Sequence, residues 1–193
     1  MPPAGGSTGD LVRDAVAGQR EALDALYARA APRVLAYVRM RMGLSLRSRL
    51  DSRDILQATL MKSFQGFGEF RGSGAPALMA WLNRIAEREI LDRADYHQRA
   101  RRSSLREEPL SGDDVLEARV TSVLSRLIRD ERAEKLEAAM DDLSEAHREI
   151  ILLRKFQDLP FRDIAARLGK SEDACRMLLA RALAALTLRM AAK

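Results

Sequence analysis

The sequence contains few of the residues that carry enzyme or metal chemistry. Among its 193 residues is one cysteine, Cys175, which excludes an internal disulfide and a cysteine-based zinc site. The two histidines, His97 and His147, lie far apart, and neither has acidic residues at metal-ligand spacing. We see no Ser-His or Cys-His constellation and no glycine-rich phosphate loop after a strand. We therefore expect no catalytic residues, no metal site, no cofactor and no enzyme activity.

Long apolar runs are also missing. No stretch reaches the roughly 20 apolar residues of a membrane-spanning helix, so we expect no membrane insertion. Residues 1–9, MPPAGGSTG, lack the basic and apolar segments of a signal peptide. We expect a flexible tail over residues 1–10 and a cytoplasmic protein. Aromatic residues make up only 5% of the chain, whereas alanine, leucine and arginine are abundant, which indicates an all-α fold.

Charge is plentiful and unevenly placed. Lysine and arginine total 33 against 28 acidic residues, a net charge of +5 that suits a nucleic-acid partner without establishing one. Arginines are clustered between Arg99 and Arg106, and acidic residues follow between Glu107 and Glu117, in a stretch interrupted by proline and glycine. This pattern predicts a flexible acidic linker over residues 103–129, between two small domains.

The first half of the chain has the apolar periodicity of helices. Between Leu11 and Met42 we expect two helical stretches, broken near Gly18 and again near Pro32. Residues 43–49 are expected to form a basic connection.

Two further helices are predicted on either side of a glycine-rich loop. Asp51 or Ser52 is a candidate N-cap for a helix over residues 53–67. A loop is expected at 67–76 and a long helix at 77–102. The buried stripe of the long helix is predicted to contain Leu78, Trp81, Leu82 and Ile85.

The segment from Leu143 to Leu186 has the pattern of a helix-turn-helix. Ile164 and Leu168 share an apolar helical face with Phe161 and Ala165, and Gly169 follows where a residue able to take positive φ ends a helix. Ser171 then suits the N-cap of the next helix. Helix, short turn and second helix in this order are typical of DNA-binding domains.

The second helix of this motif has two distinct faces. One is apolar and comprises Cys175, Leu178, Leu179, Ala182 and Leu186; the other comprises Asp173, Arg176, Met177, Ala180 and Arg181. We expect the second face to enter a major groove, with Arg176 reaching a base edge or a phosphate and Arg181 a phosphate. Lys170 lies in the turn, near the expected path of the DNA backbone. A helical hairpin with a solvated basic face is the alternative explanation.

Taken in order, the motifs of both halves resemble those of a bacterial RNA polymerase sigma factor of the extracytoplasmic-function (ECF) type, in the sigma-70 family. The N-terminal motifs are Asp54-Ile55-Leu56-Gln57-Ala58-Thr59-Leu60, Phe70-Arg71-Gly72, Trp81-Leu82 and Ile85-Ala86. The C-terminal motifs are Leu143-Ser144, Arg148-Glu149, Leu152-Leu153-Arg154, Asp163-Ile164-Ala165 and Arg181-Ala182. The chain departs from the family pattern at Arg53, Ala58, Arg88, Cys175 and Leu178.

The resemblance implies a region 2-like domain at 11–102 and a region 4-like helix-turn-helix domain at 130–193. It implies a factor that binds core RNA polymerase and directs promoter recognition and transcription initiation, with an anti-sigma factor as a further candidate partner. The implied polymerase-binding residues are Asp54, Gln57, Leu60 and Met61. The implied contacts to the −10 element are Phe70, Arg71, Gly72, Arg84, Arg88 and Arg93. The implied contacts to the −35 element are Lys170, Ser171, Arg176, Met177 and Arg181.

Other interpretations remain open at this point. The chain fits a freestanding helix-turn-helix regulator, or an interaction protein that never contacts DNA. Asp54 could serve only to stabilise the N-terminus of its helix, and the loop around Arg71 could be an ordinary flexible connection. Trp81 fits a core residue better than a base-stacking one, because it shares helical spacing with Leu78 and Ile85.

Overall fold

The structure, a computed structural model, describes residues 7–100 and 131–192, and within them the side chains of all but 97–100 and 131–133. The N-terminal half comprises α1 (Thr8–Val16), α2 (Arg20–Arg47), α3 (Ser52–Gly66), a 3-10 helix (Phe67–Glu69) and α4 (Gly74–Ala100). The C-terminal half comprises α5 (Glu131–Asp141), α6 (Glu145–Ile151), a π-helix (Leu152–Phe156), α7 (Phe161–Leu168) and α8 (Glu172–Ala191). No strand occurs in either described range, so the predicted all-α class is confirmed. The predicted linker at 103–129 lies outside the described residues.

The first helix begins earlier than the sequence suggested. Ser7 and Asp10 form a capping box, in which the Ser7 backbone N–H donates to Asp10 Oδ2 at 3.0 Å and the Asp10 N–H donates to Ser7 Oγ at 3.2 Å. The assignment of residues 8–10 to a flexible tail was therefore wrong. The break predicted at Gly18 is confirmed, because that glycine has φ of +90° between α1 and α2.

The predicted break near Pro32 was wrong, because α2 continues through this proline. The Pro32 ring lies on the exposed side, while Ala31 and Val34 on either side are fully buried. That burial offsets the backbone hydrogen bond that proline removes. The interruption lies instead at Gly43, where φ is +60°, and helical structure resumes as far as Arg47, so the predicted connection at 43–49 was also mostly helix.

Helix α3 begins at Ser52, one residue before its predicted start. Asp51 is the N-cap, because its Oδ1 accepts from the Arg53 backbone N–H at 2.8 Å. The loop predicted at 67–76 is shorter than expected, since a 3-10 helix covers its first three residues and α4 begins at Gly74.

The helix-turn-helix has the predicted form. Gly169 adopts the left-handed conformation with φ of +62° at the end of α7. Ser171 caps α8, its Oγ accepting from the Ala174 N–H at 3.1 Å. The predicted apolar face of α8 is confirmed, because Cys175 and its neighbours Leu178, Leu179 and Ala182 are buried. No helix in the described ranges combines the length and apolar character needed to cross a bilayer.

The two halves of the described chain also contact each other, which the sequence did not suggest. Helix α2 packs against α5 and the π-helix, and α4 packs against the π-helix as well. Apolar side chains from both halves form one continuous core. At the junction, the rings of Tyr37 and Phe156 lie 5.9 Å apart.

Candidate nucleic-acid interface

Helix α8 turns a basic face outward. Arg176, Met177 and Arg181 are exposed, with 61% of Met177 accessible, and Lys170 is exposed in the preceding turn. Because Gly169 and the Ser171 cap fix the angle between α7 and α8, these side chains project from a rigid surface. That surface has the form of a recognition helix that inserts into a major groove.

Arg176 is held in place by its neighbours. Its guanidinium contacts Glu172 Oε2 at 2.8 Å and Asp173 Oδ1 at 2.6 Å, and it lies 5.2 Å from the centre of the Phe161 ring. Exposed ion pairs of this kind are each worth at most about 1 kcal/mol. A phosphate or a guanine edge can therefore displace the two carboxylates from the guanidinium.

An aromatic cluster supports the loop that precedes α4. The Phe70 ring is 7% exposed and lies 5.3 Å from Trp81 and 5.8 Å from Phe67, centre to centre. Trp81 is half-buried against the same core, which confirms its interpretation as a core residue. The expectation that Phe70 itself contacts DNA does not fit this burial, because its ring faces the aromatic cluster.

Gly72 lies where a side chain would not fit. A Cβ at this position would come within 2.7 Å of both Phe70 Cζ and Ala77 Cβ. Arg71, next to it, is exposed and its Nη1 donates to the carbonyls of Gly68 at 2.6 Å and Phe70 at 3.3 Å. The loop thus has a tightly packed base and presents one arginine at its surface.

Helix α4 exposes two arginines near its middle and buries two glutamates close to them. Arg84 and Arg88 are exposed one turn apart, and Arg93 is half-buried farther along. Glu87 and Glu89 are buried, and Glu89 pairs with Lys62 of α3. The outward side of α4 is therefore positive and suited to phosphate contacts at Arg84 and Arg88, and the exposed acids Asp92 and Asp95 follow farther along the helix.

The four residues expected on the polymerase face of α3 have different environments. Asp54 is exposed, and Gln57 and Met61 are half-buried. Leu60 is 0% exposed, so its expected contact with a partner is not available and it belongs to the core. Asp51 caps the helix, and Asp54 lies in its first turn, where a negative charge also suits the helix dipole.

A buried polar cluster joins the two halves; we call it the Glu87 cluster, comprising Tyr37, Arg41, Glu87, Gln157 and Arg167, with Glu149 at its edge. Gln157 Nε2 donates to Tyr37 Oη at 2.7 Å and to Glu87 Oε2 at 2.8 Å. Arg167 Nη2 donates to Glu87 Oε1 at 2.5 Å. Arg41 contacts Glu87 Oε1 at 3.1 Å and Glu149 Oε2 at 2.7 Å. The partners in the two hydrogen bonds of Gln157 are 70 and 120 residues apart in the chain, so no local sequence pattern predicts these contacts.

Protonation equilibria in the Glu87 cluster follow from this geometry. Burial by itself would raise the pKa of Glu87, but hydrogen bonds from Arg167 and Gln157 and the nearby guanidiniums hold it below its ordinary value. Burial and the charge of Glu87 raise the pKa of Tyr37, so the phenol stays neutral.

A second group, the Glu137 cluster, comprises Arg39, Arg47, Glu137, Asp141 and Arg148. Arg39 Nε lies 3.0 Å and Arg47 Nη1 3.6 Å from Glu137 Oε2, and Arg47 also pairs with Asp141. Arg148 lies 3.8 Å from Asp141. Burial raises the pKa of Glu137 despite these arginines.

Comparison with known proteins identifies both halves. Residues 26–102 match the family model for sigma-70 region 2, and residues 133–186 match the model for sigma-70, region 4. A match to both regions does not favour a freestanding helix-turn-helix regulator. Proteins of this family are transcription initiation factors, with core RNA polymerase and promoter DNA as their partners.

Full-length relatives agree with these matches. The chain is 30% identical over 175 residues to the ECF RNA polymerase sigma factor SigD of Mycobacterium tuberculosis, an alignment that covers 90% of this chain and 79% of the relative. It is 29% identical over 166 residues to the RNA polymerase sigma-H factor of Pseudomonas aeruginosa, covering 80% of this chain and 79% of the relative. The chain therefore belongs to the extracytoplasmic-function sigma factors of the sigma-70 family, and its function is promoter recognition in transcription initiation.

Proposed function

We propose that this chain binds core RNA polymerase through α3, the −10 element through α4 and its preceding loop, and the −35 element through α8. It has no catalytic role of its own and acts by directing the polymerase and stabilising melted DNA. The outward face of α8 carries this proposal, because three side chains suited to base and phosphate contacts project from a helix that is capped and packed on its other side.

On α3 we assign Asp54, Gln57 and Met61 to the polymerase surface. A carboxylate and an amide one turn apart on a helix match the hydrogen-bonding groups of an arginine-rich partner. Leu60 supports this surface from the core and does not contact the polymerase.

For the −10 element we assign Arg71, Arg84, Arg88 and Arg93 to DNA contacts. Extruding a base costs a few kcal/mol, which phosphate contacts and a pocket must offset. Gly72 and Phe70 contribute by fixing the shape of the loop that presents Arg71.

For the −35 element we assign Arg176, Met177 and Arg181 to the major groove and Lys170 to the DNA backbone. Ser171 contributes mainly as the cap that orients α8. On binding, Arg176 exchanges its contacts with Glu172 and Asp173 for contacts with DNA.

An anti-sigma factor is a further partner that we propose. Such a protein would inhibit transcription by covering the outward side of α3, the outward face of α8, or both. Met177, an exposed apolar side chain in the middle of a basic face, is suited to a protein contact as well as to DNA.

Co-elution with core polymerase on size exclusion tests the assignment of α3. The variant Asp54→Ala/Gln57→Ala should co-elute less than the unmodified chain. Glu21→Ala is the matched control, because Glu21 is also an exposed acid in the first turn of a helix, in α2. Equal co-elution of all three proteins would refute the assignment of α3.

Promoter-dependent transcription tests the assignment of α8. Arg176→Ala/Arg181→Ala should keep polymerase binding and lose transcription from the cognate promoter. Arg13→Ala is the control, because Arg13 is an exposed arginine in a similar i, i+3 ion pair on α1. Undiminished transcription by the double variant would exclude α8 as the −35 reader.

A further inference from the structure

We propose that Asp173 is a specificity-determining residue, whose carboxylate accepts a hydrogen bond from the N4 amine of a cytosine in the −35 element. The inference rests on the proposed assignment of α8 to that element. It adds a hydrogen-bond acceptor to a face whose assigned charged residues, Lys170, Arg176 and Arg181, only donate.

Asp173 lies near the N-terminus of α8 and on its outward face. It is the second residue of the helix, and its side chain is 91% exposed. Arg176 and Ala180, one and two turns farther along, are exposed on the same side, whereas Cys175 on the opposite side is fully buried. In a recognition helix the N-terminal residues contact the base edges. Asp173 therefore lies where a side chain can read a base.

Glu172, the preceding residue, has a different environment. Its side chain is 44% exposed and lies at the edge of the outward face, because Cys175 and Leu179, three and seven positions farther along, are buried. Both carboxylates contact the Arg176 guanidinium, Glu172 at 2.8 Å and Asp173 at 2.6 Å. The two acids share one partner, but only Asp173 projects from the middle of the reading face.

Binding to DNA frees the Asp173 carboxylate. Its contact with Arg176 is an exposed ion pair, which is weak, and the proposed function transfers the guanidinium to DNA. The Phe161 ring, 5.2 Å from the guanidinium carbon, keeps Arg176 close to the groove during this exchange. A carboxylate left without a donor inside a major groove is unfavourable, because it has lost water and lies near the phosphates. Asp173 therefore needs a donor from the DNA.

Cytosine is the base whose major-groove edge best matches a carboxylate. Guanine presents the acceptors N7 and O6, and thymine presents the acceptor O4, so both repel it. Adenine presents its N6 amine beside the acceptor N7, whereas cytosine presents an amine without an adjacent acceptor. Asp173 therefore favours cytosine and also penalises the other bases, and such a penalty is a common source of specificity.

Selection from a promoter library tests this role in the holoenzyme. Core polymerase is assembled with the unmodified chain or a variant, and the bound promoters are sequenced from a pool randomised across the −35 element. The unmodified chain should prefer cytosine at one position by about 5- to 100-fold, the range expected for one mismatched base pair. Asp173→Ala should lose this preference and keep the preferences at other positions.

Asp173→Asn changes the preference in a direction that a purely structural role does not explain. An asparagine amide matches the N6 amine and N7 of adenine together. The variant should therefore select adenine at the position where the unmodified chain selects cytosine. Glu172→Ala is the matched control, because Glu172 also pairs with Arg176 but lies at the edge of the reading face, so this variant should retain the preference for cytosine.

Each outcome decides the question. Base preferences that neither variant of Asp173 changes would overturn the inference. Loss of the same cytosine by Glu172→Ala would also overturn it, since the effect would then pass through Arg176. A holoenzyme of the unmodified chain that selects no base anywhere in the −35 element would refute the assignment of α8 itself, a result distinct from loss at one position. Circular dichroism confirms that each variant is folded, and if Asp173→Ala is not, Asp173→Asn carries the test at nearly constant shape.

Discussion

Replacing Gly72 with alanine tests whether the loop before α4 depends on close packing. A Cβ at this position would lie 2.7 Å from Phe70 Cζ and 2.7 Å from Ala77 Cβ, well inside van der Waals contact. Relieving such overlap by moving a ring and a helix costs about 1–3 kcal/mol. A chain of this size loses about 2–4 °C in melting temperature for each kcal/mol. We therefore expect Gly72→Ala to melt several degrees lower, by differential scanning calorimetry.

Gly68→Ala is the matched control in the same loop. Nothing lies within 4 Å of a Cβ at Gly68, so this variant should be neutral or more stable by up to about 1 kcal/mol, through reduced freedom of the unfolded chain. In a Phe70→Leu background the added cost of Gly72→Ala should be smaller than in the unmodified chain, because the smaller side chain makes room for the methyl group. If Gly72→Ala has the same melting temperature as the unmodified chain, the packing argument for this loop is wrong.

The same substitution has a functional consequence. If the loop orients Arg71 for the −10 element, Gly72→Ala should slow promoter opening, measured with a fluorescent base in the −10 element, while polymerase binding through α3 stays unchanged. Equal loss in both assays would indicate general destabilisation and not a specific effect of the loop.

Further predictions concern single side chains. Because the folded pKa of Glu87 lies below its ordinary value of 4.5, its stabilising effect is full above that pH and is lost as the pH falls further, so the melting temperature should drop more steeply in acid than that of Glu87→Gln. Ser171→Ala should cost about 1 kcal/mol in a thermal melt, through loss of the α8 cap. Cys175→Ser should cost about 1–3 kcal/mol, since it places a hydroxyl at a fully buried apolar position, and Cys175→Ala should cost less if polarity is the cause. The logarithm of the DNA-binding constant falls as the logarithm of the salt concentration rises, and Arg176→Ala should reduce the steepness of this fall by about 1 if Arg176 contacts a phosphate. An unchanged slope would indicate a base contact or none.

Local features of the fold were predictable because their causes are local. The face of α8 follows from apolar spacing between Cys175 and Ala182, and the turn follows from Gly169 and Ser171, whose roles depend on adjacent backbone. Asp51 was one of two candidate caps, with Ser52, for the same reason. Helix caps, turns and apolar faces can be recognised in a single sequence because the interacting atoms lie within one or two helical turns.

The errors have a common origin in tertiary packing. Pro32 remained inside α2 because buried residues on both sides outweigh its local preference, which a sequence window does not reveal. Leu60 and Phe70 were placed on binding surfaces by position in a motif, yet each side chain points into the core. The Glu87 cluster was invisible because a glutamate and a glutamine far apart in the chain look like ordinary solvated residues.

The π-helix at Leu152–Phe156 makes the spacing between α6 and α7 sensitive to length. Its wide turn closes with a hydrogen bond from the Gln157 N–H to the Leu152 carbonyl, five residues back, so it accommodates one residue more than an α-helical turn would. Each residue of an α-helix advances the direction of the side chains by about 100°. Deleting one residue here would allow a regular α-helical turn, and the change would disturb the position from which Gln157 contacts Tyr37 and Glu87. Insertions and deletions at this point would therefore alter the contacts of Gln157 with Tyr37 and Glu87, without any change in the residues assigned to DNA contacts.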